Sequence, residues 1–276
     1  MRDVEARRPD ARLRAAERLA EPPSGEEGRA RTALRQLAAD PVGPVRAVAV
    51  EGLGHVGGAG AAEAVRNAFD DPDATVRQQA VLAAARLGDV EPVRRALEDP
   101  RPEMRFQAAG AFAALRPEEA LPALRPLVAD GDPEVRTAAV EAMGGLGTEA
   151  RGSLAPALGD PSPEVRWAAA VALAELGDDR GAGVLRANLT DRDRVVDAAE
   201  ALGRLGIREA RDDLRALTRR WWISPLVRAA AAGALARMGD PLGERTLHRI
   251  VRAWRPDGRA YAARILADLE GSGQAG

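Results

Sequence analysis

The chain has 276 residues, of which 46% are hydrophobic and 30% charged, and its formal net charge is −2. It contains no cysteine, which excludes disulfides, thiolate zinc sites and cysteine nucleophiles. No apolar run approaches ~18 residues, and the charged N-terminal segment lacks the apolar region of a signal peptide. We therefore expect a cytoplasmic protein without membrane contact.

The composition favours closely packed helices. Aromatic residues make up only 3% of the chain, so its core is built from Ala, Leu and Val. A core made of these side chains favours closely stacked helices over a thick sandwich of β-sheets.

One pattern, D-P-x-x-x-V-R-x-x-A-A-x-A-L-x-x-L-G, recurs along the chain at intervals of 28 to 33 residues. We call the position of its Val the slot and count later positions from it. In chain order the slot falls at Val45, Val76, Met104, Val135, Val165, Arg194, Val227 and Gly258. Eight frames at this spacing predict a repeat array, and ARLRAAERLA near the N-terminus predicts a ninth, degenerate frame.

Each frame predicts two helices, of which the second begins near the slot. Its apolar positions are 0, +4, +7, +8 and +11, the spacing of one helix face. In frame five these are Val165, Ala169, Ala172, Leu173 and Leu176. A glycine, suited to a left-handed helix end, follows at +12 in six frames: Gly57, Gly88, Gly147, Gly177, Gly206 and Gly239. Because a two-helix unit cannot bury its apolar face alone, the units are expected to stack into a solenoid.

Three frames carry the motif most clearly: Asp71-Pro72 with Val76-Arg77, Asp99-Pro100 with Met104-Arg105, and Asp160-Pro161 with Val165-Arg166. Over roughly residues 30 to 270 the chain resembles HEAT-like repeats of the phycobilin-lyase type. The resemblance implies an all-α fold, a right-handed α-α superhelix of about eight two-helix repeats whose second helices line the concave side. It also implies a function, because most such proteins are binding scaffolds, a minority assist bilin attachment, and a distinct group excises alkylated DNA bases.

The repeat pattern predicts a single domain over residues 1–276. Within it we expect four parts, which in chain order are a degenerate cap at 1–29, regular repeats at 30–190, irregular basic repeats at 191–270 and a disordered tail at 271–276.

An aspartate precedes an arginine by six residues in each of the first five frames. The pairs are Asp40 and Arg46, Asp71 and Arg77, Asp99 and Arg105, Asp130 and Arg136, and Asp160 and Arg166. We expect each carboxylate to cap the following helix and to pair with the guanidinium of a neighbouring frame. The cluster of Asp70, Asp71 and Asp73 imitates a calcium loop but lacks the remaining ligands, so no metal site is predicted.

Positions +2, +6 and +9 point away from the apolar stripe and should face the concave side. They are mostly small or apolar, whereas a solvated face should be charged. Phe106 and Trp167 occupy equivalent +2 positions two frames apart, with Leu82 and Val171 at +6. These four residues predict a groove for a helix or extended peptide of another protein. The alternative is a superhelix tight enough to bury its own concave side.

A second candidate surface is basic and aromatic. Residues 192–264 hold 16 arginines against 9 acidic residues, whereas residues 1–191 hold 24 against 31. The candidate residues are Arg219, Arg220, Trp221, Trp222, Trp254 and Arg255. Such a patch fits an acidic protein partner, self-association with the acidic part of another copy, or nucleic acid, which we rank lower. Alternatively, the tryptophans only cap the last frames.

No catalytic constellation is recognisable. The two histidines, His55 and His248, are about 190 residues apart and lack the paired His-Glu motif of HEAT-repeat hydroxylases. We therefore predict no catalytic residue and no cofactor, and a protein-binding scaffold or adaptor. The alternatives are nucleic-acid binding, a lyase-like chromophore helper and a DNA glycosylase-like activity.

Overall fold

The computed structural model describes residues 2–220, 222–253 and 258–273. Every regular element in these residues is helical, and together they form an all-α helical solenoid, as the sequence predicts. By its internal packing the chain divides into two compact units, residues 1–146 and 147–276.

The first unit contains, in its described residues, nine α-helices and three short 3-10 helices. The α-helices are α1 (Pro9–Ala20), α2 (Glu27–Leu37), α3 (Gly43–Val56), α4 (Ala61–Asn67), α5 (Ala74–Arg86), α6 (Val90–Ala96), α7 (Pro102–Leu115), α8 (Pro117–Leu124) and α9 (Pro133–Gly144). The 3-10 helices are Arg2–Glu5, Ala68–Asp70 and Arg125–Ala129. Second helices of successive frames pack on one another, α1 on α3, α3 on α5, α5 on α7 and α7 on α9.

The second unit continues the alternation. Its α-helices in the described residues are α10 (Arg151–Leu154), α11 (Pro163–Glu175), α12 (Ala182–Ala187), α13 (Val195–Leu205), α14 (Arg211–Arg219), α15 (Pro225–Arg237), α16 (Pro241–Arg252) and α17 (Arg259–Gly273). Its 3-10 helices are Thr148–Ala150, Ala155–Gly159, Asp179–Gly181, Asn188–Thr190 and Arg208–Ala210. Here α15 is packed against α13, α14, α16 and α17.

Short polar signals set where the second helices begin and end. Asp132 accepts hydrogen bonds from the amides of Glu134 and Val135 and so caps α9, whose first residue is Pro133. Asp73 caps α5 in the same way through the amide of Thr75. The six glycines predicted at +12 all have positive φ, between 61° and 91°. Glycine adopts this conformation without steric cost because it has no Cβ.

The core follows the predicted positions. The frame-five residues Val165, Ala169, Ala172 and Leu173 are buried. Frame six departs from the pattern at its slot. Arg194, in the slot, lies at the N-terminal boundary of α13, and the next residue, Val195, is buried. Among the described residues, the largest fully buried side chain is Phe112 on α7.

The predicted ion-pair ladder is present in the first unit. Arg46 donates to both carboxylate oxygens of Asp71 at 2.8 and 2.7 Å, and to the backbone oxygen of Asp40 at 2.8 Å. Arg105 repeats the arrangement with Asp130 at 2.7 and 2.8 Å. The guanidinium of Arg105 holds the pKa of Asp130 below its ordinary value, against the opposing effect of burial.

The ladder begins one frame earlier than its five regular members. Arg12 on α1 donates to Asp40 at 2.5 and 3.0 Å, and to the backbone oxygen of Ala6, six residues earlier. That geometry repeats the one around Arg46, so α1 is the second helix of the predicted degenerate frame.

The ladder prediction is wrong at one place. Arg77 pairs with Glu103 instead of Asp99, because Arg101 closes on Asp99 with two hydrogen bonds of 2.8 Å. The cap prediction also needs a correction. Asp71 bonds the amide of Asp73, the cap residue itself, so it stabilises the turn before the cap rather than the first turn of the helix.

Candidate interaction surfaces

In the first unit, Leu82 and Phe106 lie on second helices that pack together, α5 and α7. Leu82 is half-buried. Phe106 is 39% exposed, one of the few large hydrophobic side chains of the described residues on the surface. Gly110, one turn further along α7, is exposed and has open space where a Cβ would stand. The ring of Phe106 therefore presents apolar area to solvent beside a position without a side chain.

In the second unit, Trp167 and Val171 lie one turn apart on α11. Both are half-buried and pack against the core cluster that α13 and α15 share. The guanidinium carbon of Arg194 lies 5.3 Å from the centroid of the Trp167 ring. Arg194 is held there by Asn188, whose side-chain oxygen accepts a hydrogen bond of 3.4 Å. Part of the surface predicted to meet a ligand is thus covered by an arginine of the same chain.

The two pairs belong to different compact units, Leu82 and Phe106 to residues 1–146 and Trp167 and Val171 to residues 147–276. A single groove formed by all four residues stays a prediction.

The small residues at +9 have a packing role in two frames. A Cβ on Gly54 would lie 2.8 Å from the Cα of Ala83, and one on Gly203 would lie 2.6 Å from the Cα of Ala234. Both glycines are buried, and they let α3 approach α5 and α13 approach α15. At these two positions the neighbouring helix occupies the space beside the glycine, so neither glycine borders an open groove.

The basic aromatic patch is described in part. Arg219 and Arg220 are exposed at the end of α14, and Trp222 is 69% exposed. Trp221, Trp254 and Arg255 lie outside the described residues. The structure adds Leu226, which is 41% exposed in the first turn of α15. It was missed because position −1 relative to the slot carries no periodic signal.

The C-terminal helix brings together residues that the sequence did not connect. The hydroxyl of Tyr261 on α17 donates a hydrogen bond to Glu200 on α13, and Arg264 lies 5.1 Å from the tyrosine ring. Helix α15 packs against both of these helices. Ile265 of α17 lies against Gly233 of α15. Burial, followed by the bond to Glu200, raises the pKa of Tyr261.

The described residues contain no cluster of side chains that could hold a metal ion. No three His, Asp or Glu side chains converge there as ligands. The carboxylates of Asp71 and Asp130 are engaged by arginines and backbone amides. His55 and His248 are both exposed, on α3 and α16. Within the described residues, no helix is both long and apolar enough to cross a membrane.

A family model described as HEAT repeats matches residues 4–85, 90–154 and 127–202. The chain belongs to the HEAT-repeat family. The resemblance drawn from the Asp-Pro and Val-Arg motifs is therefore confirmed. No curated protein matches the chain.

Solved structures share the HEAT-repeat fold at low sequence identity. The Escherichia coli protein YibA is 21% identical, with a TM-score of 0.64 over 86% of this chain and 90% of YibA. The CpcE and CpcF complex of phycocyanin lyase from Nostoc sp. is 22% identical, with a TM-score of 0.50 over 87% and 94%. An engineered protein is 19% identical, with a TM-score of 0.54 over 98% and 87%. At these identities the likeness extends to the fold alone.

Proposed function

We propose that this HEAT-repeat chain is a non-catalytic scaffold that binds another protein, with Phe106 as one contact. The observation that carries the proposal is the exposure of Phe106 on a second helix, since aromatic residues, Phe included, are enriched at protein interfaces. HEAT repeats commonly bind proteins, and the family match covers most of the chain.

Trp167 has a smaller part in this proposal than the sequence suggested. Because the ring packs on the core and beneath Arg194, its substitution would disturb folding as well as binding. Phe106 is the better probe, since 39% of its surface is free of the chain.

Site-specific photocrosslinking tests the Phe106 contact. Benzoylphenylalanine replaces Phe106 with a ring of related shape. As the matched control, the same group replaces Glu98, an exposed residue of the turn that precedes α7. The proposal is supported by a protein that crosslinks from position 106 but not from position 98, and that binds the wild type but not the Phe106→Ala variant. Equal crosslinking from both positions would refute a specific contact.

The exposure of Trp222 favours a second candidate, binding of single-stranded nucleic acid. Its ring is 69% exposed and follows the exposed pair Arg219 and Arg220, and exposed aromatics beside arginines are used to stack bases.

The test measures binding of a labelled single-stranded oligonucleotide at several salt concentrations. Arg219→Gln/Arg220→Gln should weaken binding and lower the salt slope by about two. Arg14→Gln/Arg29→Gln removes two exposed arginines of the first unit and should change neither. If both variants behave alike, the binding reflects overall charge and the patch has no specific role.

A further inference from the structure

The charged side chains of α17 are arranged along its exposed side in an order that is unusual for a single helix. Arg259 and Arg264 lie in the first half of the helix, and Asp268 and Glu270 lie in the second half. All four residues are exposed. The exposed side of α17 is therefore positive toward its beginning and negative toward its end.

This order opposes the dipole of α17. A helix favours acidic residues in its first turn and basic residues in its last turn, and α17 has neither. Among the described residues the two guanidinium groups meet no carboxylate, since Arg259 donates to the backbone oxygen of Val251 at 3.1 Å and Arg264 stacks on Tyr261. A neighbouring helix with the same charges and the opposite direction would remove this disadvantage.

The four charges border a face of α17 that no described residue covers. On the opposite, packed side, Ala262 and Ile265 are buried in the core cluster that α15, α16 and α17 share. At ~100° per residue, the outward side carries three exposed alanines, which we call the alanine face: Ala260, Ala263 and Ala267. Arg264 and Asp268, one turn apart, follow one edge of this face. Arg259 and Glu270, about three turns apart, follow the other edge.

This pattern is complementary to a second copy of itself. When two α17 helices lie antiparallel, Arg264 of each copy comes opposite Asp268 of the other. Arg259 and Glu270 pair in the same way along the second edge, and both pairings centre on nearly the same point of the helix. Reciprocal contacts of this kind are those of a two-fold axis. A parallel arrangement would instead place like charges opposite each other, which is unfavourable.

The side chains between the two edges permit a close approach. Packed helix axes lie about 8–10 Å apart, and the distance depends on the side chains at the contact. Within this chain α13 approaches α15 closely because Gly203 has no side chain where it meets Ala234. Beside the alanine face is an open recess of about 390 Å³, which leaves room for side chains of a second helix and is lined by Val251, Arg259, Ala260 and Ala263.

We propose that the protein forms a two-fold symmetric dimer in which α17 packs antiparallel on α17 of a second copy. The ion pairs along both edges set the direction and register of the helices, and the alanine face forms the contact between them. This inference goes beyond the proposed scaffold function and does not depend on it. A dimer presents every contact for a partner twice, which strengthens binding to a partner that carries two sites.

Sedimentation velocity of the full chain over a range of concentrations measures the dimer. The wild type should dimerise, and less tightly as salt is added, because the paired charges are exposed. Asp268→Arg/Glu270→Arg makes both edges basic and should raise the dissociation constant of the dimer at least about tenfold, since like charges then face each other. A wild type that stays monomeric at its highest soluble concentration would overturn the proposal.

A matched control causes the same change in net charge elsewhere in the second unit. Glu175 and Glu209 are exposed and lie on α11 and on the 3-10 helix before α14. Glu175→Arg/Glu209→Arg should dimerise within about twofold of the wild type, because charges away from the contact are screened. Equal weakening by the two variants would mean that net charge governs association, and the proposal would fail.

Mixing two complementary variants tests the contact directly. Arg259→Glu/Arg264→Glu makes both edges acidic, so this variant and Asp268→Arg/Glu270→Arg should each be monomeric alone and form a heterodimer when mixed. Formation of the heterodimer also shows that both variants are folded. The four substitutions combined in one chain restore a self-complementary pattern and should restore the homodimer. If neither the heterodimer nor this homodimer forms, the two edges do not pair and the proposal is refuted.

Two further outcomes would assign association or the alanine face differently. Dimerisation that is abolished by Arg219→Gln/Arg220→Gln but not by Asp268→Arg/Glu270→Arg would belong to the basic aromatic patch and would overturn the proposal. Benzoylphenylalanine at position 263 that crosslinks a different protein instead of a second copy would overturn it as well. Neither result affects crosslinking from position 106, so this proposal and the scaffold proposal can fail separately.

Discussion

Glutamate occupies the +6 position in frame one of the first unit and in frame six of the second, as Glu51 and Glu200. Glu51 lines an open recess and has no partner in the described residues. Glu200 accepts a hydrogen bond from Tyr261, a residue 61 positions later in the chain. The same repeat position thus lies on an open surface in one unit and forms a contact within the chain in the other.

The different surroundings of Glu51 and Glu200 depend on α15, which packs against both α13 and α17. In the second unit residues 229–234 of α15 are all alanine or glycine, and Ala229 to Leu235 are all buried, so side chains of α17 can reach past this part of the helix. The alternative that the array buries its own inner side therefore applies to this part of the second unit, whereas the recess of the first unit remains open.

The largest expected effect concerns the arginine–aspartate pairs, one taken from each unit. Arg105→Gln should lower the free energy of unfolding by about 3 kcal/mol, because Asp130 is left largely buried without its cation. In the second unit Arg215, on the first-type helix α14, pairs with Asp240 at 2.7 Å but is 40% exposed, so Arg215→Gln should cost about 1 kcal/mol. Urea unfolding of both variants measures the difference, and equal losses would contradict it.

Acid titration provides an independent readout of the same pair. Because Arg105 holds the pKa of Asp130 below its ordinary value, the stability from this group is present above pH about 4 and is lost as the pH falls further. Arg105→Gln should unfold with a shallower dependence on pH below about 4 than the wild type. An unchanged slope would mean that the pair is not the source.

Helix packing should give the next effect. Gly203→Ala should lower the free energy of unfolding by about 2 kcal/mol, because the new Cβ meets the backbone of Ala234 and a packed interface resists extra volume. Gly110→Ala is the matched control in a second helix with open space, and it should raise stability by about 0.5–1 kcal/mol. Destabilisation by both, measured by urea unfolding, would remove the packing explanation.

The repeat period predicted the helices, their buried faces and the glycines that end them, because these depend on residues within one frame. It did not predict that Arg101 captures Asp99, since that contact arises within a turn whose sequence differs from its neighbours. Contacts such as that of Tyr261 with Glu200 join frames six and eight, and no spacing rule for a single helix contains them. The exposure of Leu226 could likewise not be predicted from the repeat period, because it depends on where the neighbouring helices end.

A smaller effect is expected at the tyrosine contact. Tyr261→Phe should lower the free energy of unfolding by about 1 kcal/mol, the net contribution of one hydrogen bond. Because the folded pKa of Tyr261 is raised, the stability it confers is present below pH about 10 and is lost as the pH rises above it. Tyr261→Phe should therefore be less sensitive to base than the wild type in urea unfolding.

Tyr261 is the only tyrosine of the chain, so the ultraviolet absorbance of its phenolate reports on this residue alone. The wild type should ionise well above the ordinary value of about 10, and Glu200→Gln should lower that midpoint. A wild-type midpoint at the ordinary value would contradict the buried contact.

The smallest effect tests how Trp167 is covered. Arg194→Met removes the guanidinium above the ring and should lower the free energy of unfolding by about 0.5–1 kcal/mol, the strength of an exposed cation–π contact. Acrylamide should then quench tryptophan fluorescence more effectively, because more of the ring meets solvent. Arg192→Met, at an exposed arginine two residues earlier, is the control and should change neither quantity. If Arg194→Met also leaves quenching unchanged, the arginine does not shield the ring, and Trp167 regains its place as a candidate contact for a partner.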